Sequence, residues 1–436
     1  MNEETIVALA SAPGRSGISV IRISGTRATH IGTLLCGKLA KAWTIKPCTF
    51  ATTGGQEIDS GLVVSFKAPR SYTGEDVVEL HCHGSPVIVD MLVEAVIASG
   101  ARMAEPGEFT KRAFLNNKMD LSQAESVADI ISAQTRAAVI GANASLKGVF
   151  AQDIESHIKK IISIRVFIEA SIDFPEEDID TKSLKKIHKE LESEIVFLNK
   201  IIKSSRSGVT IREGVKVVIL GPPNSGKSTL LNQLSQQEMA IVSNEPGTTR
   251  DLVRVTLNLK GVPVELVDTA GLRSSDNEIE NKGMDKAIKE THDANLVLLL
   301  SDHNQKVVER PKNTECLVVR NKIDLLTNRP NKEKNTVFIS AKTGAGVDLL
   351  ISEILSRVGF DLETEVPAFS RRRHLHHLEQ ALLFSERAND MIAKNEELEL
   401  VAENLLFAQN ELGSITSPIS SDELLGEIFS EFCIGK

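Results

Sequence analysis

The chain has 436 residues, 41% of them hydrophobic and 25% charged, which allows two or three domains with real cores. A net charge of -9 and a pI of about 5.7 exclude a surface that attracts nucleic acid as a whole, so any RNA contact has to come from local patches. Five scattered cysteines exclude a disulfide framework or a zinc spacing, and with no leader-like N-terminus and no apolar run near the ~20 residues of a membrane span, the expectation is a soluble cytoplasmic protein.

From Thr5 to about Lys118 the pattern is one of short strands, turns and two helices. TIVALA, ISVIRIS and GLVVSF read as strands, and PVIVDMLVEAVIAS reads as a helix with Val87, Val89, Met91, Leu92 and Val96 mostly on one face. This is an α+β domain. Within it, DVVELHCH alternates, with Val78, Leu80 and Cys82 on one side and Val77, Glu79, His81 and His83 on the other. Two histidines and a carboxylate on one strand face could ligate a metal, but no further ligand cluster is in view, and a polar ligand pocket is the favoured reading.

After Asp120 the period becomes helical. Ser122 and Glu125 have the spacing of a capping box, and Val127, Ile130 and Ile131 open a helical stretch that continues through Ile154, Ile158, Ile161, Ile162, Ile168 and Ile172. Phe174-Pro175-Glu176-Glu177-Asp178 breaks it. A further amphipathic segment, Ile187–Ser204, leads through Ser205–Gly214 into the next domain.

That domain opens with VKVVILGPPNSGKST, Val215 to Thr229, a β-branched apolar run stopping at Gly221 followed by a helix start: a Walker A loop. Asn224, Ser225, Gly226, Lys227, Ser228 and Thr229 are the expected phosphate cradle. Backbone N–H groups converge on phosphate oxygens there, Lys227 brings a point charge, and the Ser228 hydroxyl reaches Mg²⁺. In the stretch Pro246–Asp251 a threonine can close over Mg²⁺ and the γ-phosphate; Thr249 is the choice, with Thr248 beside it. Asp268-Thr269-Ala270-Gly271 follows the strand Val264–Val267, placing a carboxylate near Mg²⁺ and a glycine amide near the γ-phosphate. In Ras-like proteins the next residue is a water-orienting glutamine, but here it is Leu272, which cannot hydrogen-bond through its side chain. Asp276, Glu278 and Glu280 are acidic candidates for that role, and the residues alone do not choose among them.

Between the strands Leu296–Leu300 and Leu317–Val319 lie only Ser301–Glu315, where a parallel crossover usually carries a full helix; the helix there must be very short or lost. Asn321-Lys322-Ile323-Asp324 follows. A carboxylate at Asp324 can accept both guanine N1–H and its exocyclic amine, and adenine has no matching donor pair, so the nucleotide is GTP rather than ATP. Ser340, Ala341 and Lys342 close the base pocket after the strand Val337–Ile339. Helices resume beyond Phe360. Arg371-Arg372-Arg373 is the strongest basic run, a possible RNA contact but more often a solvated helix start. Leu424, Leu425, Ile428, Phe429 and Phe432 form an apolar stripe after Ser420-Ser421-Asp422. Two unrelated helical pieces would each have a thin core, so the reading is one helical domain split by an insertion. The expected organisation is multidomain: an α+β N-terminal domain (1–118), an α-helical domain in two parts (119–213 and 361–436), and an inserted α/β P-loop G domain (214–360).

At this point the whole chain resembles the MnmE (TrmE) family of tRNA-modifying GTPases. The segments that carry the likeness are GRSGISVIRISG, PRSYTGEDVVEL, PGEFTKRAFLNNKMDLSQAE, the GPPNSGKS, PGTTRD and DTAGLR motifs, RRRHL and the terminal Cys433-Ile434-Gly435-Lys436. The resemblance implies a potassium ion in place of an arginine finger, bound by Asn224 and the loop Ser243–Thr248, with Ser243, Glu245 and Thr248 as ligands. It implies that Mg²⁺ is held by Ser228 and Thr249, and that the water-orienting glutamate is Glu280. It implies a constitutive homodimer whose G domains approach each other when GTP and potassium bind. The N-terminal domain is implied to bind a tetrahydrofolate derivative (5-formyl or 5,10-methylene form) through Arg22, Glu79, Lys118 and Lys436, which makes it folate-binding-like and gives Glu79 a role without a metal. Cys433 would lie near the folate, as a catalytic thiol or as a small packing residue. The implied partner is an MnmG (GidA) flavoprotein carrying FAD, forming a heterotetramer that places an aminomethyl or carboxymethylaminomethyl group on carbon 5 of the tRNA wobble uridine. No stacking platform for RNA is evident, Trp43 and Tyr72 being the only residues of their kinds. The short Ser301–Glu315 segment departs from the family pattern. The alternative is an Era- or Der-like regulatory GTPase in ribosome assembly, which would carry an appended RNA-binding module instead of a folate domain and terminal CIGK. A scaffold that binds GTP without hydrolysing it is opposed by Lys227, Ser228, Thr249, Asp268 and Glu280.

Overall fold

The computed structural model of the chain describes residues 4–173, 181–237, 240–241, 253–268, 290–302, 305–311, 314–326, 333–361, 370–394, 397–416, 428–429, 432 and 435. The chain divides into two compact units, one comprising Met1–Ile131, Leu146–Ala151 and Ser414–Lys436, the other Ser132–Ser145 and Gln152–Gly413.

In the first unit, alternating apolar residues build strands β1 (Ile6–Leu9), β2 (Ser16–Ser24), β3 (Lys46–Ala51), β4 (Glu57–Phe66), β5 (Val77–Gly84) and the short β6 (Arg102–Met103). They form one six-stranded sheet in the order β3-β4-β5-β2-β1-β6, antiparallel except for β1 beside β6. Helices α1 (Ala28–Cys36) and α2 (Pro86–Ala98) cover one face. There Ile21 and Ile23 of β2, Val78, Leu80 and Cys82 of β5, and Ile31, Val89, Leu92 and Val96 of the helices form a buried cluster. Each such side chain contributes roughly 1.5–3 kcal/mol by leaving water. On α2 the inward row is Val89, Leu92 and Val96, whereas Val87, expected on the same face, is exposed. The period-2 geometry turns Arg22 and Glu79 to the opposite face, where Ile6, Ala8, Ala104 and Phe109 make a smaller cluster with Tyr72 against it. Phe109 belongs to α3 (Glu108–Leu115).

Helix α4 (Leu121–Ser132) begins two residues earlier than the Ser122/Glu125 pair suggested. Asp120 Oδ1 accepts from Gln123 N at 2.9 Å, and Gln123 Oε1 accepts from Asp120 N at 2.9 Å. That reciprocal pair is the capping box; Ser122 lies inside the first turn and donates to Asp120 Oδ1 at 2.7 Å. The buried side of α4, Leu121 and Ala124, packs with Ile428, Phe429 and Phe432. Leu424 and Leu425, placed in the same stripe by the sequence, lie outside the described residues. Gly435, at φ 102, fits where an added Cβ would strike Leu9 O.

The expected continuous helix after Val127 is interrupted. Thr135 Oγ1 accepts from Ala138 N at 3.1 Å and caps α5 (Arg136–Leu146), and Gly148 at φ 78 precedes α6 (Val149–Asp173). Helix α7 (Thr181–Glu213) also runs further than its periodicity indicated: Ser205–Glu213, read as a lead-in, is helical. Tertiary packing outvotes the weak local propensity of that Ser- and Gly-containing stretch. Ser205 and Ser207 are fully buried, and Gly214 at φ 72 supplies the left-handed residue that ends the helix.

The second unit holds a seven-stranded sheet. Its strands are β7 (Val215–Leu220), β8 (Ala240–Ile241), β9 (Val253–Leu259), β10 (Val262–Asp268), β11 (Leu296–Asp302), β12 (Cys316–Asn321) and β13 (Thr336–Phe338), ordered β13-β12-β11-β7-β10-β9-β8. The five from β13 to β10 are parallel, and β9 and β8 add antiparallel. Leu296–Leu300 is buried throughout, as a strand covered on both faces requires. Helices α8 (Lys227–Gln237) and α9 (Val347–Arg357) belong to this α/β layer. Helices α10 (Arg372–Lys394) and α11 (Leu398–Thr416) follow. Helix α10 packs on α7, with Ser370 Oγ bonded to Ser205 Oγ at 3.0 Å, Arg206 to Glu379 at 2.8 Å and Arg372 to Glu213 at 2.9 Å. The basic run therefore does start a helix, but Arg371 is buried rather than solvated. The chain is thus multidomain, with an α+β N-terminal part, a helical part and an α/β P-loop G domain.

Candidate functional site

The phosphate-loop motif sits where β7 ends and α8 begins. Asn224 at φ 61 and Gly226 at φ 98 take left-handed conformations that turn the chain tightly into the helix. At Gly226 a Cβ would run into Asn321 Nδ2, so glycine is required by space as well as by φ. Lys227 Nζ donates to Gly221 O at 2.7 Å and Pro222 O at 3.1 Å. Burial disfavours its charge and lowers its pKa, an effect the nearby Asp268 carboxylate opposes. Lys227 makes no ion pair among the described residues, and a buried cation held only by neutral carbonyls suits an arriving anion. Ser225 Oγ is a buried hydroxyl without a hydrogen-bond partner among the described residues.

Asp268 ends β10 opposite Ile219 of the adjacent β7, which brings its carboxylate to α8, where Ser228 Oγ donates to its Oδ2 at 3.3 Å. A hydroxyl and a carboxylate side by side next to the phosphate loop are oxygen donors suited to Mg²⁺. The base motif is bonded directly to the same loop. Asn321 is only 3% exposed; its Nδ2 donates to Ser225 O at 2.9 Å and its Oδ1 accepts from Ala341 N at 2.9 Å. Ser340 Oγ donates to Asp324 Oδ1 at 2.6 Å and accepts from Thr343 N at 3.2 Å, so it orients the carboxylate that would read the base. Lys322, at φ 67, pairs with Asp302 Oδ2 at 3.1 Å. Lys342 and Thr229 are exposed. The structure therefore brings Asn224–Thr229, Asp268, Asn321–Asp324 and Ser340–Lys342 to one end of the parallel strands. Ser243, Glu245, Thr248, Thr249, Thr269, Ala270, Gly271 and the acidic candidates Asp276, Glu278 and Glu280 lie outside the described residues.

In the first unit Arg22 and Glu79 stand opposite each other on β2 and β5, with Arg22 Nε donating to Glu79 Oε1 at 2.9 Å. The guanidinium lies 5.3 Å from the ring centre of Tyr72 and 5.7 Å from that of Phe109. Burial works against the Glu79 charge, but the hydrogen bond from His81 and the Arg22 charge outweigh it and hold the carboxyl below the usual range. An ionised, half-buried carboxylate beside an aromatic-backed guanidinium fits the polar edge of a flat heterocycle. Lys118 Nζ donates to Pro69 O at 2.8 Å, and its stem lies against Gly74. Cys433 and Lys436 lie outside the described residues. His83 is taken up by Asp59, with Nδ1 2.8 Å from Oδ1, and no group of three or more His, Cys, Asp or Glu among the described residues could hold a metal. Sequence reading missed Asp302 as the partner of Lys322. Its position at the C-terminal end of a parallel strand was the available signal, since open α/β sheets bind ligands there.

Among the described residues no helix is long and apolar enough to cross a membrane. A family model described as the MnmE helical domain matches residues 121–433, and one described as the GTP-binding protein TrmE N-terminus matches residues 5–118. The chain is 44% identical over 451 residues to the tRNA modification GTPase MnmE of Francisella tularensis subsp. holarctica, covering 100% of this chain and 99% of that protein. It is 43% identical over 449 residues to the tRNA modification GTPase MnmE of Coxiella burnetii, covering 99% of each. Among solved structures it is similar to the G domain of the T. maritima FeoB iron transporter, with 27% identity and a TM-score of 0.27, over 33% of this chain and 98% of that one.

Proposed function

The chain belongs to the MnmE family of tRNA modification GTPases, and from that membership we propose that it is a potassium-activated GTPase acting with a flavoprotein partner. Together they build an aminomethyl or carboxymethylaminomethyl group on carbon 5 of the tRNA wobble uridine, taking the carbon from a tetrahydrofolate derivative. The protein works in the cytoplasm as a homodimer and pairs with an MnmG-like, FAD-carrying protein. The N-terminal domain is assigned to 1–118, the helical domain to 119–213 and 361–436, and the inserted G domain to 214–360.

One observation carries the reading: Asn321 joins the phosphate loop at Ser225 O to the base pocket at Ala341 N. A single buried amide thus fixes the distance between the triphosphate end and the guanine end of one ligand. Asp324, oriented by Ser340, accepts the two guanine donors. Lys227 exchanges its loop carbonyls for phosphate oxygens, a gain because phosphate restores the charge that burial penalises. Ser228 and Asp268, with Thr249, would hold Mg²⁺. Asn224, with Ser243, Glu245 and Thr248, would hold potassium, which when bound supplies positive charge beside the phosphates. Thr269–Gly271 would line the γ-phosphate, and Glu280 would orient the attacking water.

At the second site Glu79 would accept from the amino-amide edge of the folate, with Arg22 keeping that carboxylate ionised, and Lys118 and Lys436 would bind its glutamate end. When bound, the folate supplies the one-carbon unit and the partner's flavin its redox chemistry. Cys433 is assigned to the same site.

The test is mass spectrometry of tRNA nucleosides from cells lacking the gene, complemented by the wild-type chain, Glu79→Gln or Cys433→Ser. Loss of the carbon-5-substituted wobble uridines, restored by wild type but not by Glu79→Gln, is expected. An unchanged nucleoside profile in the deletion would overturn the reading.

A further inference from the structure

Neighbouring parallel strands are usually joined by a helix, and β11 and β12 are such neighbours, Val297 standing opposite Cys316. The described residues of their connection contain no helix. What the connection does instead is fold back at its start. Gln305 N donates to Asp302 O at 3.3 Å, and Asp302 N donates to Gln305 Oε1 at 3.4 Å. Arg320 Nη1 reaches Ser301 Oγ at 3.0 Å, Asp302 O at 3.2 Å and Gln305 O at 2.8 Å. Arg320 immediately precedes Asn321, so this turn is anchored to the base motif. From it, Gln305 Nε2 donates to Pro223 O at 3.3 Å.

The acceptor matters because Pro222 and Pro223 have no N–H, leaving their carbonyls as the only backbone handles on this stretch of the phosphate loop. Gly221 O and Pro222 O are held by Lys227, and Pro222 O accepts from Ser225 N as well, at 3.3 Å. The two bonds from Lys227 are released when it turns to a phosphate. Pro223 O is the carbonyl of the peptide whose nitrogen belongs to Asn224, and because that peptide is planar, a bond on the oxygen fixes the direction in which Asn224 leaves it.

We propose that Gln305 is a positioning residue of the nucleotide site, bracing the Pro223–Asn224 peptide from the turn that opens the β11–β12 connection once Lys227 has left the loop carbonyls. This rests on the reading of Asn224–Thr229 as the phosphate cradle. Dissociation of a fluorescent N-methylanthraniloyl-GDP from the full-length chain, in potassium, tests it. Gln305→Ala, which also gives up the bond from Asp302 N, should release the nucleotide about 2- to 10-fold faster, the factor expected for the one exposed neutral hydrogen bond that reaches the phosphate loop. Gln305→Glu keeps the shape but faces the carbonyl with an acceptor, so it should release at least as fast. Both variants should keep the wild-type unfolding temperature, and both should need more potassium for half-maximal GTP hydrolysis. Release at the wild-type rate in both variants would overturn the brace, and acceleration by Ala but not by Glu would overturn the hydrogen bond as its cause. A wild-type chain that binds no GDP would instead overturn the nucleotide site itself.

Discussion

Replacing Asn321 by alanine removes two bonds and leaves both partners buried. Ser225 is 0% exposed and Ala341 2%, so Ser225 O and Ala341 N have no route to water. A buried polar group left unpaired costs about 1–3 kcal/mol, so the pair predicts a loss of roughly 2–5 kcal/mol confined to the unit that contains the G domain. With a urea dependence of about 1–3 kcal/mol/M, the midpoint should fall by roughly 0.7–5 M. The assay has an internal control. The single tryptophan, Trp43, packs edge-on against Phe66 at 4.7 Å in the other unit. Far-UV circular dichroism should therefore register an early transition in Asn321→Ala, while Trp43 fluorescence keeps its wild-type midpoint. Asn321→Asp, which retains the acceptor for Ala341 N but turns an oxygen toward Ser225 O, should lose at least half as much. A dichroism midpoint equal to wild type, or a Trp43 transition that moves by the same amount, would refute the claim that Asn321 is a buried strut of this unit.

The other expectations are briefer. Asp324→Asn removes the acceptor pair for guanine and should weaken GTP binding by about 10²-fold or more, the scale on which sites reject ligands whose polar groups go unpaired; titration with GTP and XTP should invert the preference. Exchanging potassium for sodium at constant ionic strength should slow hydrolysis severalfold, and Glu280→Ala should bind GTP normally while turning it over poorly; equal rates in both salts would remove potassium from the scheme. Burial opposes the charge on Glu108, but the hydrogen bonds from Arg102, the Glu105 amide and Arg112 outweigh it and bring its pKa from 4.5 to about 2. A carboxyl lowered in this way stabilises the fold fully above its unfolded pKa and loses that contribution as pH falls through the folded value. Acid unfolding followed at Trp43 should accordingly steepen between pH 4.5 and 2, and Glu108→Gln should be less stable at neutral pH with a flatter acid dependence.

What the sequence disclosed follows how far apart the interacting residues are. The Walker A loop, Asp268 and Asn321–Asp324 are each written within a few residues of a strand end, so spacing alone located them. The β5 alternation was legible for the same reason: Leu80 and Cys82 face the core, Glu79 and His81 the other side. The capping box was misplaced because Ser122 and Asp120 both have capping side chains, and only the bond to Gln123 chooses between frames. Ser205–Glu213 was not legible as helix because its support comes from residues far along the chain, at Val358, Asp361 and Ser370. The clamp of Arg320 on Ser301, Asp302 and Gln305 likewise has no local signature. That the described residues of the β11–β12 connection hold no helix agrees with its length, which left room only for a very short one or none.

The seating of Ile428, Phe429 and Phe432 on Leu121 and Ala124 has a consequence for biogenesis. About 300 residues separate the two halves of that cluster, and at ~5–20 residues per second a ribosome needs roughly 15–60 s to cross them. Throughout that interval the nascent N-terminal unit has its sheet and both covering helices but an open apolar face on α4. Arrival of Ile428, Phe429 and Phe432 closes it, and Gly435 settles against Leu9. A chain stopped before Ile428 would keep the face bare and offer it to chaperones and proteases, so synthesis as far as Phe432 is itself a condition for the first unit to mature.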